Sequence, residues 1–397
     1  MRNRRESLIN RQSASLKTIG ASLISIFCGL LLGAVIVFLV SVFSEEISLK
    51  GGLEGVSLVL LGVFNLGRNA AGNLTFGFNP TSLGDMLFRA VPLIMTGLSV
   101  AVAFQTGLFN IGAPGQYLIG TAASLYTALS LPGDKIPGWI IWFAALLAGM
   151  LAGALWGAIP GLLKAFRNIN EVLSCIMTNW IAASLVTWFF EVSNLKNTEN
   201  AAKIGYIRPV STNGVATAKL GLDRLFPGSQ VDGGILAAIV LAVAVYILMQ
   251  KTTLGYSLRT CGSNRHAARY AGISDRGNIV LSMAIAGGLS GGGAALYWLS
   301  GHTEFFWTTY QTLPAAGFNG IPVALLAANH PLGVIFTAMF LSALNIAGVQ
   351  LKGYTAYNEH VIDIIIGVIV YLSAFSFLIW QWILGKSKKK TGKGDAS

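Results

Sequence analysis

The sequence predicts an all-α, polytopic membrane helical bundle of about ten transmembrane helices, with both termini on the cytoplasmic side. Three observations predict it. First, of 397 residues 54% are hydrophobic and only 11% charged, against about 25% charged in a typical soluble protein. A soluble chain of this length needs a polar surface that this one lacks. Second, ten apolar stretches approach the ~20 residues that cross about 30 Å of hydrocarbon. Third, Lys and Arg are unequally divided between the loops on the two sides.

The ten stretches are 20–43, 85–104, 113–131, 139–161, 171–190, 233–250, 277–299, 314–328, 332–350 and 361–384. The first follows Arg2, Arg4, Arg5, Arg11 and Lys17. Its apolar run exceeds the roughly 7–15 residues of a secretory signal and no small-residue cleavage site follows, so it reads as a retained span. The eighth carries Pro314, Gly317, Gly320 and Pro322 and reads as broken or re-entrant. A basic tail (1–19) precedes the membrane domain (20–384) and a second basic tail (385–397) follows it; residues 191–232 form a polar outer loop and 251–276 a basic inner loop. With the N-terminus inside, the inner segments hold 17 Lys and Arg and the outer segments nine, most of them in two long loops. Long loops cross largely regardless of charge, so the short loops decide the orientation. The same rule accounts for the net charge of +11 without nucleic acid.

Small residues four apart let helix backbones approach closely. Gly149, Gly153, Gly157 and Gly161 repeat that spacing in the fourth stretch, as do Gly29 and Gly33 in the first and Gly287 and Gly291 in the seventh. They fit either packing within one chain or a dimer face.

Several activities are excluded. "LGKS" (384–387) has Trp380 where a phosphate-binding loop needs its first glycine, so this chain does not hydrolyse ATP. Cys28, Cys175 and Cys261 form no pair, and His266, His302, His330 and His360 are scattered, so no metal site is expected. All 16 acids fall in loops, tails or helix ends. A carboxylate at mid-bilayer costs roughly 2.5–3.5 kcal/mol and marks relays such as proton pathways, which argues against proton coupling. Arg89 is expected to pair with Asp85 one turn away.

Four stretches carry function. "QTGLFNIGAPGQYLIG" (105–120) combines helix breakers with the amides Gln105, Asn110 and Gln116. It reads either as non-helical backbone at membrane depth beside a polar path or as a plain cytoplasmic turn. "NINEVLSCIMTNWIAASL" (168–185) has Asn170 as an N-cap, then Asn179 and Trp180, where Asn179 fits a path or a simple interhelical hydrogen bond. "AAGFNGIPVALLAANHPLG" (315–333) offers Phe318 and Asn319 in an expected break, then a turn at 329–331. In "LRTCGSNRHAARYAGIS" (258–274), Asn264 caps a two-turn helix that Gly272 stops, and Ser274 caps the next helix. The short helix fits docking in a partner's groove or lying on anionic lipid.

FNIGAPGQYLIG (109–120), NEVLSCIMTNWIA (170–182), LRTCGSNRHAARYAGI (258–273) and GFNGIPVALLAANHPLG (317–333), joined by GGLSGGGAAL (287–296), together resemble the permease subunits of ABC importers in the branched-chain amino acid and simple sugar group. The likeness is nearest to nucleoside-type permeases that work with basic membrane lipoprotein receptors. The resemblance implies a vitamin-B12-importer-type permease fold in the bacterial cytoplasmic membrane. It implies a second permease, homologous or identical, a cytoplasmic ABC ATPase that uses ATP and Mg, and an extracytoplasmic substrate-binding lipoprotein. No cofactor is expected on this chain, and it is expected to be a transporter subunit, not an enzyme. The loop 251–276 would be the coupling helix, with Arg259, Asn264, Arg265, Ala268, Arg269, Tyr270 and Gly272 as its ATPase-coupling residues. Asn110, Gln116, Asn179, Trp180, Phe318 and Asn319 are the expected substrate path, with nucleosides as the expected cargo. Sugar or branched-chain amino acid cargo, or an Na⁺-coupled secondary transporter, are the alternatives.

Overall fold

The computed structural model describes residues 24, 26–43, 47–198, 201–203, 205–308, 311–358 and 360–375. Both basic tails and the outer parts of the first and last stretches (20–23 and 376–384) lie outside the described residues. All ten apolar stretches contain helix, and among the described residues seven helices are long and apolar enough to cross a membrane. These are α1 (Ile26–Phe43), α3 (Pro80–Gln105), α5 (Gly138–Arg167), α6 (Glu171–Val192), α8 (Gly234–Lys251), α11 (Asp275–Trp298) and α13 (Pro331–Tyr354). Helix α4 (Ala113–Ser130) has 18 residues but is diluted by Gly, Gln, Thr and Ser. Helix α12 (Ala315–Leu326) is only 12 residues long, and the described part of α14 (Val361–Ala374) is 14.

By its internal contacts the chain divides into two units. The larger comprises residues 80–324 and 329–342. Its core is formed by α3, α4 and α11, which are buried along most of their length. Helices α5, α6 and α8 bury one face and turn Leu151, Leu155, Trp188 and Val240 outward, the pattern of a helix that meets lipid or another membrane protein. The glycine repeat of α5 packs within the chain, against α11. A Cβ built on Gly153 would lie 2.3 Å from the Gly287 carbonyl oxygen, and one on Gly291 would lie 2.3 Å from that of Gly149. The two backbones are in contact, so both positions require glycine.

The sequence expectation fails at two places in this unit. Helix α12 runs unbroken through Gly317–Pro322. Its glycines serve close packing instead: Cβ atoms there would collide with Pro114 and with the Thr96 backbone. The turn comes later, at Asn329, whose φ is +59°. Asp85 accepts a hydrogen bond from the Gln230 backbone N–H at 2.8 Å, and no Asp85–Arg89 ion pair occurs among the described residues. The inner loop 251–276 is two helices, α9 (Thr253–Ser263) and α10 (Arg265–Tyr270). The outer loop 191–232 contains only short turns and a four-residue helix, α7 (Leu222–Leu225).

The smaller unit comprises the described residues up to 79, residues 325–328 and those from 343 on. Within it α1 packs on α14, with Gly29 and Gly33 against Ile369 and Ile365. The stretch 44–84, read from sequence as a loop, holds α2 (Leu49–Leu61) and a hairpin of β1 (Asn65–Arg68) and β2 (Leu74–Phe76). Helix α2 has 13 residues, too few to span, so a search for spans passes over it. Ser48 caps it, and Arg68 of the hairpin grips Glu54 through two nitrogens at 3.1 and 2.6 Å.

Candidate functional site

Helix α11, about 36 Å long at 1.5 Å per residue, carries functional candidates at its middle and at both ends. At the middle, the non-helical residues 106–112 run beside it inside the protein. Ser282 donates to the Thr106 hydroxyl and Ser290 to the Ala113 carbonyl, each at 2.7 Å. Those serines are eight residues, about 12 Å, apart along the helix. Leu108 and Asn110 are buried on the way. Thr106, Leu108, Asn110 and Gly112 of this segment are buried, while Gly107 reaches the surface.

Three amides hold it. Asn110 and Gln116 exchange reciprocal hydrogen bonds of 2.8 and 3.0 Å, and Asn110 also donates to Ser99. Asn179 of α6 accepts from the Gly115 N–H and donates to the Ile111 carbonyl, both at 2.9 Å. All three side chains are at most 2% exposed. A buried backbone group without a partner costs about 1–3 kcal/mol, and these amides supply the partners that the lost helix turns would have supplied. The other three path residues lie elsewhere. Trp180 is 59% exposed on the outward face of α6, Phe318 is exposed on α12, and Asn319 is half-buried.

At the N-terminal end of α11, α9 and α10 form a compact unit. The Asn264 side chain caps α10 by accepting from the Ala267 N–H at 3.0 Å. Gly272, with φ +78°, closes the helix: its N–H reaches the Arg269 carbonyl and that of Ile273 reaches Ala268, the paired arrangement of a left-handed helix stop. Ser274 then caps α11. The remaining residues of the set divide. Arg259 turns back to Gln250 at 3.0 Å, Arg269 pairs with Asp275 at 2.6 Å, and Ala268 is fully buried. Tyr270 alone projects freely, 97% exposed, beside exposed His266, Ala267 and Ala271. A groove of about 440 Å³ next to α10 is lined by Lys164, Arg265, His266, Arg269, Asp275 and Arg276 among others, with Arg269 paired to Asp275 and Lys164 to Glu171.

Sequence reasoning passed over Gly262, the residue that joins this unit to the broken segment. A Cβ there would lie 2.3 Å from the Gln105 carbonyl oxygen, and Gly107, with φ +72°, meets Gly262 from the other side. Arg265 reaches the Gly107 carbonyl at 3.4 Å. Two glycines in backbone contact thus connect α9–α10 to residues 105–108 and onward to the amide network.

At the C-terminal end of α11 lies a cavity of about 670 Å³ that the sequence did not single out. Its walls include Tyr117, Trp298, Phe305, Phe306, Tyr206 and Gln311. The segments around it are stitched together: Ile207 donates to the Phe305 carbonyl at 2.9 Å and Trp307 to that of Gly205 at 2.7 Å. Glu304, also in the wall, is neutralised by Lys203 at 2.5 Å. The signal for this cavity is a cluster of aromatics at 297–307, which is ordinary in any membrane protein.

Comparison with known proteins adds the following. Residues 82–374 match the family described as branched-chain amino acid transport system / permease component. The guanosine ABC transporter permease protein NupP of Bacillus subtilis (strain 168) is 34% identical over 93% of this chain and 96% of its own length. The nucleoside ABC transporter permease protein NupB of Lactococcus lactis subsp. cremoris is 33% identical over 79% and 89%, respectively. The glucose ABC transporter permease protein TsgB13 of Haloferax volcanii is 31% identical over 85% and 88%.

Proposed function

Because this chain belongs to the branched-chain amino acid transport system permease family, we propose that it is one permease subunit of an ATP-driven importer whose cargo is a nucleoside. It is a multi-pass membrane protein. The observation that carries the mechanism is the glycine–glycine contact by which α9–α10 bears on the broken segment. A rigid, doubly capped helix pair that leaves one aromatic knob free suits a lever moved by another protein. In this reading the loop 251–276 faces the cytoplasm, with both termini on the same side and ten membrane passages in all. A cytoplasmic ABC ATPase, which binds the ATP and Mg, receives Tyr270 and its neighbours, and acidic groups of that ATPase fit the basic groove beside α10.

ATP-driven movement of α9–α10 would be passed through Gly262 and Gly107 to residues 105–112. The amides Asn110, Gln116 and Asn179 then keep that segment intact while it shifts, because it has no helix of its own to hold it. Trp180, Phe318 and Asn319 would line the path from the chain's surface, where a second permease, identical or homologous, supplies the other half. An extracytoplasmic lipoprotein would deliver the solute. Nucleoside cargo is supported by the two relatives named for guanosine and nucleosides, and by an interior whose broken segment is held by neutral amides and no fixed charge.

The test is uptake of radiolabelled guanosine by cells lacking this chain, with and without it restored, at normal and depleted ATP with ion gradients clamped. ATP-dependent uptake that returns with the chain is expected. ATP-dependent uptake of glucose but not guanosine would reassign the cargo to sugars. Uptake that follows the sodium gradient and ignores ATP would overturn the proposal.

A further inference from the structure

In the smaller unit, α2 and β1 follow α1 closely, with residues 44–46 between that span and Ile47. Their contacts trace a descent and a return. Along α2, later residues meet earlier residues of α1: a Cβ on Gly52 would collide with Ser41, and one on Gly55 would press on Val37 and Tyr357. Past the end of α2, Gly62 packs on Ala347 of α13. The chain then climbs the last turns of α13, where Asn65 donates to the Gln350 side chain at 3.0 Å and Arg68 to the Tyr354 carbonyl at 2.8 Å. From Ala347 to Tyr354 is about 10 Å along a helix. Polarity follows the same axis. Lys50, Glu54, Arg68 and Asn73 gather at the upper end, where Arg68 bonds Glu54 and Lys50 bonds Asn73. From Gly55 to Gly67 the sequence carries no charge. At the lower end Leu60, Leu61, Phe64 and Leu66 are between 42% and 55% exposed. The irregular turn there is closed from within. The side chain of buried Asn65 accepts from the Gly67 N–H at 3.0 Å, and its backbone N–H reaches the Gly62 carbonyl. Its carbonyl accepts from Asn79 at 2.6 Å, and the Phe64 carbonyl accepts from the Gly77 N–H at 2.8 Å.

We propose that residues 47–68 form a re-entrant membrane element: α2 enters one leaflet from the surface where α1 ends, β1 returns to that surface, and the turn between them lies against lipid acyl chains. A turn in water can leave its carbonyls to the solvent, whereas one in hydrocarbon must find partners within the protein. The partnered turn around Asn65 meets that demand. Charge at one end and exposed apolar side chains at the other match the order of a leaflet from its surface inward. A descent of about 10 Å stays within one leaflet, half of the ~30 Å hydrocarbon core. The apolar surface faces lipid because it continues the outward face of a span: Leu31, Leu39 and Val42 of α1 are exposed beside it. Leu49, Leu53 and Leu60, all exposed, lie within about 40° of one another around α2 and carry that surface along the helix. The element adds no passage, since it leaves by the face it enters. The inference holds whatever the cargo and whatever drives transport.

The test uses the full transporter complex in lipid nanodiscs, with Cys28→Ala as background, since Cys175 and Cys261 are buried. A nitroxide is attached through Leu60→Cys, Phe64→Cys, Lys50→Cys or Asn73→Cys, one at a time, and the background protein carried through the same labelling sets the blank. Two relaxing agents are compared: oxygen, which concentrates in hydrocarbon, and a water-soluble nickel chelate. At 60 and 64 oxygen is expected to exceed the chelate severalfold, and at 50 and 73 the order is expected to reverse. Chelate that reaches 60 and 64 as readily as 50 and 73 would place the element in water and overturn the proposal. Poor access of both agents to 60 and 64 would mean that a protein covers this face, and would overturn it equally. A second measurement needs no label. A carboxylate in hydrocarbon is costly, so Phe64→Asp is expected to lower the yield of folded complex from membranes severalfold, while Asn73→Asp leaves it unchanged. Equal yields from these two variants would also count against the re-entrant element.

Discussion

The two ends of α11 are built on opposite principles. At the N-terminal end backbone touches backbone at Gly262 and Gly107 and three caps close the helix ends; Oε1 of Gln105, whose carbonyl meets Gly262, is left unpartnered, and a groove of about 440 Å³ lies beside α10. At the C-terminal end there is space, and polar capacity is left unused. Trp298 and Gln311 have idle atoms, and so has Asp232, whose loop reaches Leu299 through Gly233, Ala218 and Thr217. Close-packed protein transmits displacement because it cannot compress. The difference shows which end is packed closely enough to pass on a displacement and which end holds the larger open volume.

The sharpest way to break this comparison is to fill the junction. Gly262→Val would thrust side-chain atoms into the Gln105 carbonyl, where even a Cβ stands at 2.3 Å. Overpacking of this kind costs about 1–3 kcal/mol. Transport is expected to fall below a tenth of wild type, while guanosine binding to the nanodisc-embedded complex persists. Retained transport would remove Gly262 from the coupling route. Tyr270→Ala should separate coupling from stability. The ring is 97% exposed, so the thermal midpoint should not move, yet receptor-stimulated ATP hydrolysis and uptake should fall severalfold together. Ala268→Trp, at a fully buried position, should instead lower the midpoint, since it reports packing and not docking.

Much of the N-terminal end was legible in the sequence because caps are local chemistry. Asn264, Gly272 and Ser274 each act within a few residues of their position, and all three do in the structure what their residue types announce. The helical stretches were legible for a similar reason, since lipid demands a run of apolar residues. What was not legible depends on residues far apart. The Gly107–Gly262 contact joins positions 155 residues apart, and neither glycine differs in sequence from the others in this chain. The cavity draws on Tyr117, Tyr206 and Trp298, from three separate segments. Helix α12 misled because Gly and Pro signal a break locally, whereas here the glycines are consumed in packing against Pro114 and Thr96.

A middle-sized effect is expected between the two ends. Asn179→Leu would leave the Gly115 N–H and the Ile111 carbonyl without their partners. At about 1–3 kcal/mol for each stranded group, the thermal midpoint in detergent should fall by several degrees. Asn110→Leu should do the same through Ser99 and Gln116. Were either variant as stable as wild type but unable to bind guanosine, these amides would belong to the solute path and not to its support.

The smallest effect comes from the C-terminal end of α11 and depends on pH. Burial pushes the Asp232 carboxyl up to about 6, against the pull of its bond from the Gly234 N–H and of Lys219. A carboxyl whose folded value lies above its unfolded one favours the folded state at low pH, and that advantage is lost as pH rises through the window from about 4 to about 6. The wild-type midpoint should therefore gain a few degrees between pH 7.5 and 5. Asp232→Asn keeps an acceptor for Gly234 and carries no charge. It should raise the midpoint at pH 7.5, change little at pH 5 and flatten the profile between them. A profile equally steep in both proteins would locate the titrating group elsewhere. It would also mean that the unpartnered Oδ2 of Asp232 costs the fold nothing at neutral pH.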